Sequence, residues 1–350
     1  MRDRTTLSDV AREAGVSLAT ASRAINGSAD RSVRPELVAR VRAAAEALHY
    51  SPDATAQAMA RGRTTTLGLL VHDIADPYFS AIASAVVRTA EAEGLQVSLA
   101  TTQNDPAREA ALLDLVRRQR ARAVVIAGGR SAGADAERDG ADPASSALTD
   151  ALTALARQGV GVAAIGQPVP GVASVAVDNA GGAAALADAL LGRGYRRFAL
   201  LDGPADRVTA RDRRDAFEAA ARAGGGDVVA RERTPFTWEG GHEGLDRLAD
   251  AGVLAEVDAV VATNDVMALG ALAAARARDL SVPGDLALAG FGGISTLRDV
   301  VPGLTTVAVP MEELGVRAVR LALGDPATTR DVVEQVGCDV VLRDSTPPLD

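Results

Sequence analysis

Polar side chains suited to nucleic-acid contacts stand close together near the start of the 350-residue chain. They are Thr20, Ser22, Arg23 and Asn26, and Thr6 precedes them. The guanidinium of Arg23 could read a guanine edge through two parallel hydrogen bonds. The hydroxyl and amide side chains around it could hold phosphates, which fixes the register on a duplex without reading its sequence. The chemistry that these residue types offer is recognition of DNA.

Two short amphipathic helices around a tight turn must position these side chains. The spacing i, i+3, i+4 and i+7 predicts one apolar face on the first helix, formed by Leu7, Val10, Ala11 and Ala14. Gly15 suits the turn because glycine adopts positive φ at no steric cost, and Ser17 is a suitable N-cap for the second helix. The expected buried side of that helix is Leu18, Ala21 and Ile25. The side chains available to bases are Leu18, Ala19, Thr20, Ser22 and Arg23.

A third helix follows, with Ser32 as its predicted cap and Pro35 near its first turn. Its expected apolar stripe is Leu37, Val41, Ala44, Ala45 and Leu48. Three such helices form a helix-turn-helix, whose second helix enters the major groove with its N-terminal side chains toward the base edges. The residues alone also allow a small helical bundle that binds no ligand.

Composition limits the class of protein. Hydrophobic residues make up 47% of the chain and aromatic residues 3%, which is enough for large buried cores. No apolar run has the length of a membrane span, and the opening MRDRTTLSDV has no apolar signal segment. The single cysteine, Cys338, is typical of a reducing compartment. We therefore expect a cytoplasmic protein without a membrane partner.

Charge differs between the front of the chain and the rest. Residues 1–63 contain ten Arg and seven Asp or Glu, a net charge of +3, whereas the remainder has a net charge of −12. This asymmetry favours contact between the front segment alone and a polyanion. A charge of +3 also fits a chance fluctuation.

From Thr64 onward the chain alternates strand-like and helix-like runs in two similar halves. The strand-like runs of the first half are 65–72, 95–100, 122–127 and 160–166. Those of the second half are 174–177, 198–203, 257–263 and 286–291, and LTTVAVP (304–310) is expected to return to the first half. This alternation predicts two parallel sheets flanked by helices, with ligands at the carboxyl ends of the strands. The stretch 130–147, rich in Ala, Gly, Asp and Ser, is predicted to be a surface loop.

The front segment closely resembles the headpiece and hinge of the LacI/GalR family of transcription regulators. The similarity is carried by LSDVAREAGVSLATASRAING (7–27) and VRAAAEALHYSPDATAQAMARGRTTTLGLLV (41–71) and extends over nearly the whole chain. It implies that Leu18, Ala19 and Arg23 face bases, and that residues 51–63 form a hinge helix when two copies meet in the minor groove. Met59 stands where the family has a leucine wedge. Without the resemblance, 51–63 would be interpreted as a disordered linker.

The resemblance also implies the fold class and the domain limits. These are a helix-turn-helix headpiece (1–50), the hinge (51–63) and a two-lobed α/β effector domain with the periplasmic-binding-protein fold (64–350). Lobe 1 is expected at 64–173 and 305–325, and lobe 2 at 174–304 and 326–345. The expected assembly is a homodimer on a near-palindromic double-stranded operator. A tetramer is not expected, because the tail RDSTPPLD (343–350) has no heptads.

Motif matches to the same family imply the effector-binding residues. Tyr78 and Phe79 of HDIADPYF (72–79) could stack on an effector ring, and Arg213 of DGPADRVTARDRRDAF (202–217) matches an effector-contacting arginine. The full implied set is Asp73, Tyr78, Phe79, Thr209, Arg213, Phe236, Asn264, Asp265 and Gly292. The neighbouring Arg207, Arg211 and Arg214 are predicted to face solvent.

The chief departure from the family pattern is at GFGGIST (290–296). The family usually has an aspartate after the aromatic residue, which accepts hydrogen bonds from sugar hydroxyls, whereas this chain has Gly292. A site without that acceptor discriminates less sharply for polyols. The family implies a sugar or sugar derivative as effector, while a larger ligand or an anion paired with Arg213 stays open.

Two other classes of function compete with the regulator. No G-x-G-x-x-G follows the first strand of the body, no G-x-S-x-G is present, and the three His and one Cys lack metal-ligand spacing. We therefore expect neither an enzyme nor a cofactor or metal. A cytosolic solute-binding protein without a DNA role is the main alternative, and the headpiece argues against it. The predicted function is a sequence-specific transcriptional regulator, a repressor as most relatives are.

Overall fold

The computed structural model describes residues 5–26, 33–51, 64–128 and 143–349, and the chain divides into two compact units, 1–65 and 66–350. The first unit contains α1 (Leu7–Glu13), α2 (Leu18–Asn26) and α3 (Pro35–Ala47). Its core is built from small side chains, and the buried members are Val10, Ala11, Ala14, Ala21, Ala24, Val41 and Ala44. Small side chains allow three short helices to pack closely. The helix-turn-helix prediction is confirmed.

Polar caps define the ends of the first two helices. The Thr6 hydroxyl accepts from the amide of Asp9, and the Asp9 carboxylate accepts from the amide of Thr6 at 3.0 Å. Gly15 has a φ of +60° in the turn. The Ser17 hydroxyl accepts from the amide of Thr20 at 3.1 Å, as the N-cap prediction requires. These bonds satisfy amides that the first helical turns leave unpaired.

Two apolar positions differ from the predicted core of the first unit. Leu18, the first residue of α2, is 51% exposed and lies outside the core, although it is only one turn before the buried Ala21. Leu37 lies outside the core, which Val38 joins instead. The predicted cap Ser32 lies outside the described residues, and Arg34 occupies the N-cap position without a side-chain cap.

Two six-stranded sheets form the second unit. The first has the order β11-β5-β4-β3-β1-β2 and is parallel throughout; its strands are β1 (Thr66–Val71), β2 (Gln96–Thr101), β3 (Ala123–Gly128), β4 (Gly161–Gly166), β5 (Ala173–Val177) and β11 (Val333–Val336). The second has the order β12-β10-β9-β8-β6-β7 and is parallel except for β12; its strands are β6 (Arg197–Asp202), β7 (Asp227–Arg233), β8 (Ala259–Ala262), β9 (Ala287–Gly292), β10 (Thr305–Ala308) and β12 (Asp339–Val341). The predicted two-lobed α/β fold class is confirmed.

Helices connect and cover these sheets. They are α4 (Pro77–Ala92), α5 (Pro106–Arg118), α6 (Pro143–Arg157), α7 (Asn179–Gly192), α8 (Val208–Ala223), α9 (Trp238–Asp250), α10 (Asp265–Ala277), α11 (Met311–Leu323) and the one-turn α12 (Pro326–Thr329). Asp76 and Asp105 cap α4 and α5, each followed by a proline that fits the first helical turn. The loop prediction for 130–147 is wrong from Pro143, where α6 begins, and its earlier part lies outside the described residues. Within the described residues, no helix has both the length and the apolarity to cross a bilayer.

The chain passes between the two lobes three times, at positions that differ from the predicted lobe limits. Lobe 1, around the first sheet, comprises 66–177 and 311–336, and lobe 2 comprises 179–308 and 339–349. β5 and β11 were expected in lobe 2 and lie in lobe 1, whereas β10 was expected in lobe 1 and lies beside β9 in lobe 2. Strands of four or five residues, as these are, give no sequence signal for the neighbour that they pair with.

Candidate functional site

One side of α2 carries five of the residues predicted to contact DNA. The helical period places Ala19, Ser22, Arg23 and Asn26 opposite the buried Ala21 and Ala24, with Leu18 at the edge of this face. Leu18 and Ala19 are exposed at the start of this face, and polar side chains follow. Apolar side chains can contact thymine methyl groups, and an arginine can read guanine. The face therefore combines two ways of reading a major groove.

Arg23 is held against its own helix, and the terminal nitrogens of its guanidinium are available to a ligand. Its Nε donates to the carbonyl oxygen of Ala19 at 3.0 Å. Its two terminal nitrogens make no hydrogen bond to any residue in the described part of the chain. A guanidinium positioned in this way loses less freedom when it binds a base or a phosphate.

The other predicted DNA contacts have local roles or lie outside the described residues. The Thr6 hydroxyl donates to the Asp9 carboxylate at 2.7 Å, and the Thr20 hydroxyl lies 2.9 Å from that of Ser17. Both threonines thus stabilise helix N-termini, and their phosphate contacts stay a prediction. Met59 and residues 52–63 of the predicted hinge lie outside the described residues.

A cavity of about 280 Å³ lies between the two lobes. Its wall includes the carboxyl ends of strands from both sheets, at His72, Gly128, Gly166 and Val177 on lobe 1 and at Pro204, Pro235, Asn264 and Gly292 on lobe 2. Parallel sheets bind ligands at this edge. The volume and the mixed polar and aromatic wall suit a small metabolite.

Eight of the nine predicted effector residues line this cavity: Tyr78, Phe79, Thr209, Arg213, Phe236, Asn264, Asp265 and Gly292. Asp73 does not. It is exposed, and its carboxylate accepts from the amide of Ala75 at 2.9 Å within the loop after β1. The carboxylate that this loop contributes to the cavity wall is Asp76 instead.

Arg213 is the buried cation of the cavity, with 8% exposure. Its Nε donates to the Asn179 side-chain oxygen at 2.9 Å, its Nη1 donates to the Thr263 carbonyl oxygen at 2.7 Å, and its Cζ lies 3.8 Å from the centre of the Phe291 ring. Burial lowers the pKa of Arg213 to about 10. The side chain therefore stays charged at neutral pH, in a fixed position.

Asp265 is almost fully enclosed at the start of α10, and its carboxylate holds the loop after β9. One oxygen accepts from the Thr306 hydroxyl at 2.6 Å, and the other accepts from the amides of Gly293 and Ile294. Burial raises the pKa of the Asp265 carboxyl. Both oxygens are thus engaged by the protein itself.

The backbone conformation after Phe291 favours glycine at the next two positions. Gly292 has a φ of +143° and Gly293 a φ of +76°, values that side chains rarely adopt. A Cβ at Gly293 would lie 2.7 Å from the Cα of Ala308, and one at Gly292 would lie 3.0 Å from an oxygen of Asp265. An aspartate at position 292 would therefore be strained in this loop conformation.

Aromatic rings form the remaining walls. Tyr78 and Phe79 meet edge to face, with ring centres 5.2 Å apart, and Phe79 meets His72 similarly at 5.8 Å. Phe236 packs so close to Gly203 that a Cβ there would lie 2.1 Å from its ring. Burial raises the pKa of Tyr78 to about 12, so its hydroxyl stays neutral. These rings offer flat apolar surfaces to a ligand.

Sequence reasoning missed several cavity residues, namely His72, Asp76, Asn104, Asn179 and Arg207. The Asn104 amide nitrogen lies 3.1 Å from Nε2 of His72, and Asn179 orients Arg213. Their position in the sequence could have identified two of them, because His72 directly follows β1 and Asn179 comes two residues after β5. Polar residues at such points deserve inclusion in a site prediction.

Two of three arginines predicted to face solvent do not. Arg207 lines the cavity with a side chain 14% exposed. Arg214 is 19% exposed and donates to the buried Asp202 at 3.1 Å. Arg211 is 41% exposed, as expected. Arg207 is the N-cap residue of α8 and Arg214 lies on an inward side of the helix, and charge type alone reveals neither direction.

A helix-turn-helix with an exposed recognition face, in one chain with a two-lobed unit that encloses a cavity, defines a ligand-responsive DNA-binding regulator. Residues 6–53 match the model of bacterial regulatory proteins of the lacI family, and 187–346 match that of the periplasmic binding protein-like domain. The chain is 32% identical over 325 residues to the HTH-type transcriptional regulator GalR of Escherichia coli (strain K12), covering 91% of this chain and 88% of GalR.

Two solved structures extend this similarity to the fold. The transcriptional regulator CelR–cellobiose complex has a TM-score of 0.68 and 29% identity, covering 98% of this chain and all of CelR. The Lac repressor dimer bound to operator and the anti-inducer ONPF has a TM-score of 0.81 and 23% identity, covering 99% of this chain and 100% of that one. The chain belongs to the LacI/GalR family of transcriptional regulators, and it is not an enzyme.

Proposed function

We propose that this regulator is a repressor, that it binds a near-palindromic double-stranded operator as a homodimer, and that a sugar or sugar derivative in the interlobe cavity controls it. One observation carries the proposal: the same chain holds an exposed reading face on α2 and an enclosed cavity around the buried, charged Arg213. The reading face argues against a solute-binding protein without a DNA role, and the cavity favours control by a small ligand. Together they favour regulation.

The DNA-binding half of the proposal rests on α2. Its exposed face offers apolar contacts from Leu18 and Ala19 and a fork from Arg23. Two copies related by a two-fold axis would read two half-sites of opposite orientation. In this scheme Met59 acts as the apolar wedge of a hinge helix in the minor groove.

The effector half rests on the cavity wall. Tyr78, Phe79 and Phe236 offer ring faces, and polar side chains surround them. The relative CelR was solved with cellobiose, which supports a sugar-class ligand for this cavity.

Coupling between cavity and DNA follows from the two-lobed arrangement. Gln167 of lobe 1 donates through its side-chain nitrogen to the Thr209 hydroxyl of lobe 2, so a bond across the cleft lies at the cavity wall. An effector that changes the fit between the lobes would change the spacing of paired hinges. Linkage requires that operator and effector alter each other's affinity by the same factor. The action of such a protein on chromosomal DNA would place it in the cytoplasm, which the bacterial DNA-binding relatives support.

Selection from a random duplex pool with the purified full chain tests the function. The proposal expects enrichment of sites with two-fold symmetry, and a mass in light scattering equal to that of two chains. Absence of any preferred sequence, with and without metabolites, would contradict the regulator; a mass of four chains would contradict the dimer.

A further inference from the structure

We propose that the effector carries an anionic group, a carboxylate or a phosphate, which pairs with Arg213. The inference deepens the proposed function and rests on it for the premise that the interlobe cavity is the effector site. It narrows the ligand class from sugars in general to acidic derivatives.

Arg213 is a buried cation that no carboxylate contacts directly, since the charges of Asp265 and Asp212 act on it only from beyond ion-pair distance. Its two hydrogen-bond partners, Asn179 and the Thr263 carbonyl, are neutral, and beneath it lies the Phe291 ring. Among the described residues no carboxylate oxygen lies within 4.0 Å of it, and its Nη2 makes no hydrogen bond. Buried charges in proteins are usually paired. A ligand anion would supply the missing partner and take up the unused nitrogen.

The carboxylates near the cavity are placed for other tasks. Asp265 has both oxygens engaged by Thr306 and by loop amides. The Asp206 carboxylate lies 3.7 Å from Nε of Arg207 and partly neutralises the charge of that arginine. Asp76 caps α4 by accepting from the amide of Tyr78 at 2.9 Å, and burial raises the pKa of its carboxyl. The second oxygen of Asp76 is thus available to a ligand hydroxyl.

Asn264, which follows the Thr263 that Arg213 contacts, offers a hydrogen-bond donor to the cavity. The Asn264 side-chain oxygen is used to cap α10, accepting from the amide of Met267 at 2.8 Å, so its nitrogen is the group left for a ligand. Position 292 has no side chain, and the loop conformation disfavours an acidic one. A neutral polyol needs acceptors for its hydroxyl protons, whereas an anion needs donors. This end of the cavity matches the anion.

Matched sugar pairs test the inference on the full chain by isothermal titration calorimetry. The pairs are glucose with glucuronate and with glucose 6-phosphate, galactose with galacturonate, and ribose with ribose 5-phosphate. A charge-assisted bond predicts that the acidic member of at least one pair binds about 10- to 100-fold more tightly than its neutral partner. The carboxylate and phosphate arms distinguish the two sources of charge. Equal or tighter binding of the neutral members, or no binding by any acidic member, overturns the inference.

Two variants assign the effect to one side chain. Arg213→Gln is expected to bring the acidic member down to the affinity of its neutral partner, and Arg211→Gln, an exposed position on the same helix, is expected to leave the ratio unchanged. An unchanged ratio in Arg213→Gln contradicts the proposed pairing. If Arg213→Gln does not fold, the matched sugar pairs titrated against the wild-type chain still test the inference. Acid-selective binding by a chain that prefers no DNA sequence would refute the proposed function and support the inference. Release of DNA by neutral sugars alone would support the proposed function and refute the inference.

Discussion

The helix-turn-helix unit and the two-lobed unit hold their functional side chains in opposite ways. On α2, Leu18 is exposed and Arg23 projects from the side opposite the buried alanines that pack the helix into its unit. In the cavity, Arg213 and Asp265 are buried and bonded to several elements at once. Substitution on the first face should therefore change recognition alone, whereas substitution in the cavity should change folding as well.

The largest expected effect is at Asp265. Its replacement by alanine leaves two amides and the Thr306 hydroxyl without their acceptor, which should lower the free energy of unfolding by about 3 kcal/mol or more. Denaturant unfolding of the full chain measures this change. Asp250→Ala removes an exposed carboxylate that pairs with Arg278 at the end of α9 and is the control, with a loss below about 1 kcal/mol. Equal stability of the two variants would contradict the role given to Asp265.

A smaller loss is expected at Gly293. An alanine there combines a φ of +76° with a 2.7 Å approach to the Cα of Ala308, which should cost roughly 2 kcal/mol. Gly337→Ala is the matched control, because a Cβ there meets nothing within 4 Å. Thermal unfolding compares the two variants. A stable Gly293→Ala protein would show that the loop can take another conformation.

Arg23→Ala tests whether a substitution on the exposed face of α2 changes DNA recognition. Loss of the fork should weaken binding to the selected sequence by about 1 to 3 kcal/mol and relax preference at one base pair. The weak, salt-dependent affinity for unrelated duplexes should remain. Arg12→Ala, an exposed arginine of α1, is the control and should leave base preference intact. Gel-shift titrations at two salt concentrations measure both. Uniform weakening for all sequences in Arg23→Ala would make Arg23 a phosphate contact only.

The smallest change in stability is expected for Leu18→Ala. Because Leu18 is 51% exposed, its truncation should alter unfolding by less than about 0.5 kcal/mol, while DNA affinity falls. Val41→Ala, at a fully buried position of the same unit, should cost about 2 kcal/mol. Circular dichroism melting follows both. A large loss in Leu18→Ala would place Leu18 in the core after all.

Local signals in the sequence predicted most of the fold. Caps such as Ser17, the Gly15 turn and the apolar periodicity gave the helices of the first unit and the strand–helix alternation of the second. The sheet to which a strand belongs was not predictable for β5, β10 and β11, since strands of four or five residues near the crossings between lobes fit either sheet. β7 was missed because an edge strand carries charge, here in DVVARER.

Cavity residues were predictable where a sequence motif identified them. They were not predictable where the packing of helices decides whether a side chain points into the cavity. Arg213 and Asn264 followed from motifs. Arg207 and Asp76 did not, because their inward direction depends on how α8 and α4 pack against the sheets. The engagement of Asp265 by the glycine loop is a property of the folded structure alone.

The most direct test of coupling is a thermodynamic cycle on the full chain with a selected operator and a ligand found by the matched pairs. Operator affinity is measured with and without the ligand, and ligand affinity with and without the operator. Coupled sites should show a change well above experimental error, of the same factor in both directions, and none in a variant whose cavity no longer binds the ligand. Operator affinity that is indifferent to a ligand bound in the cavity would contradict the account.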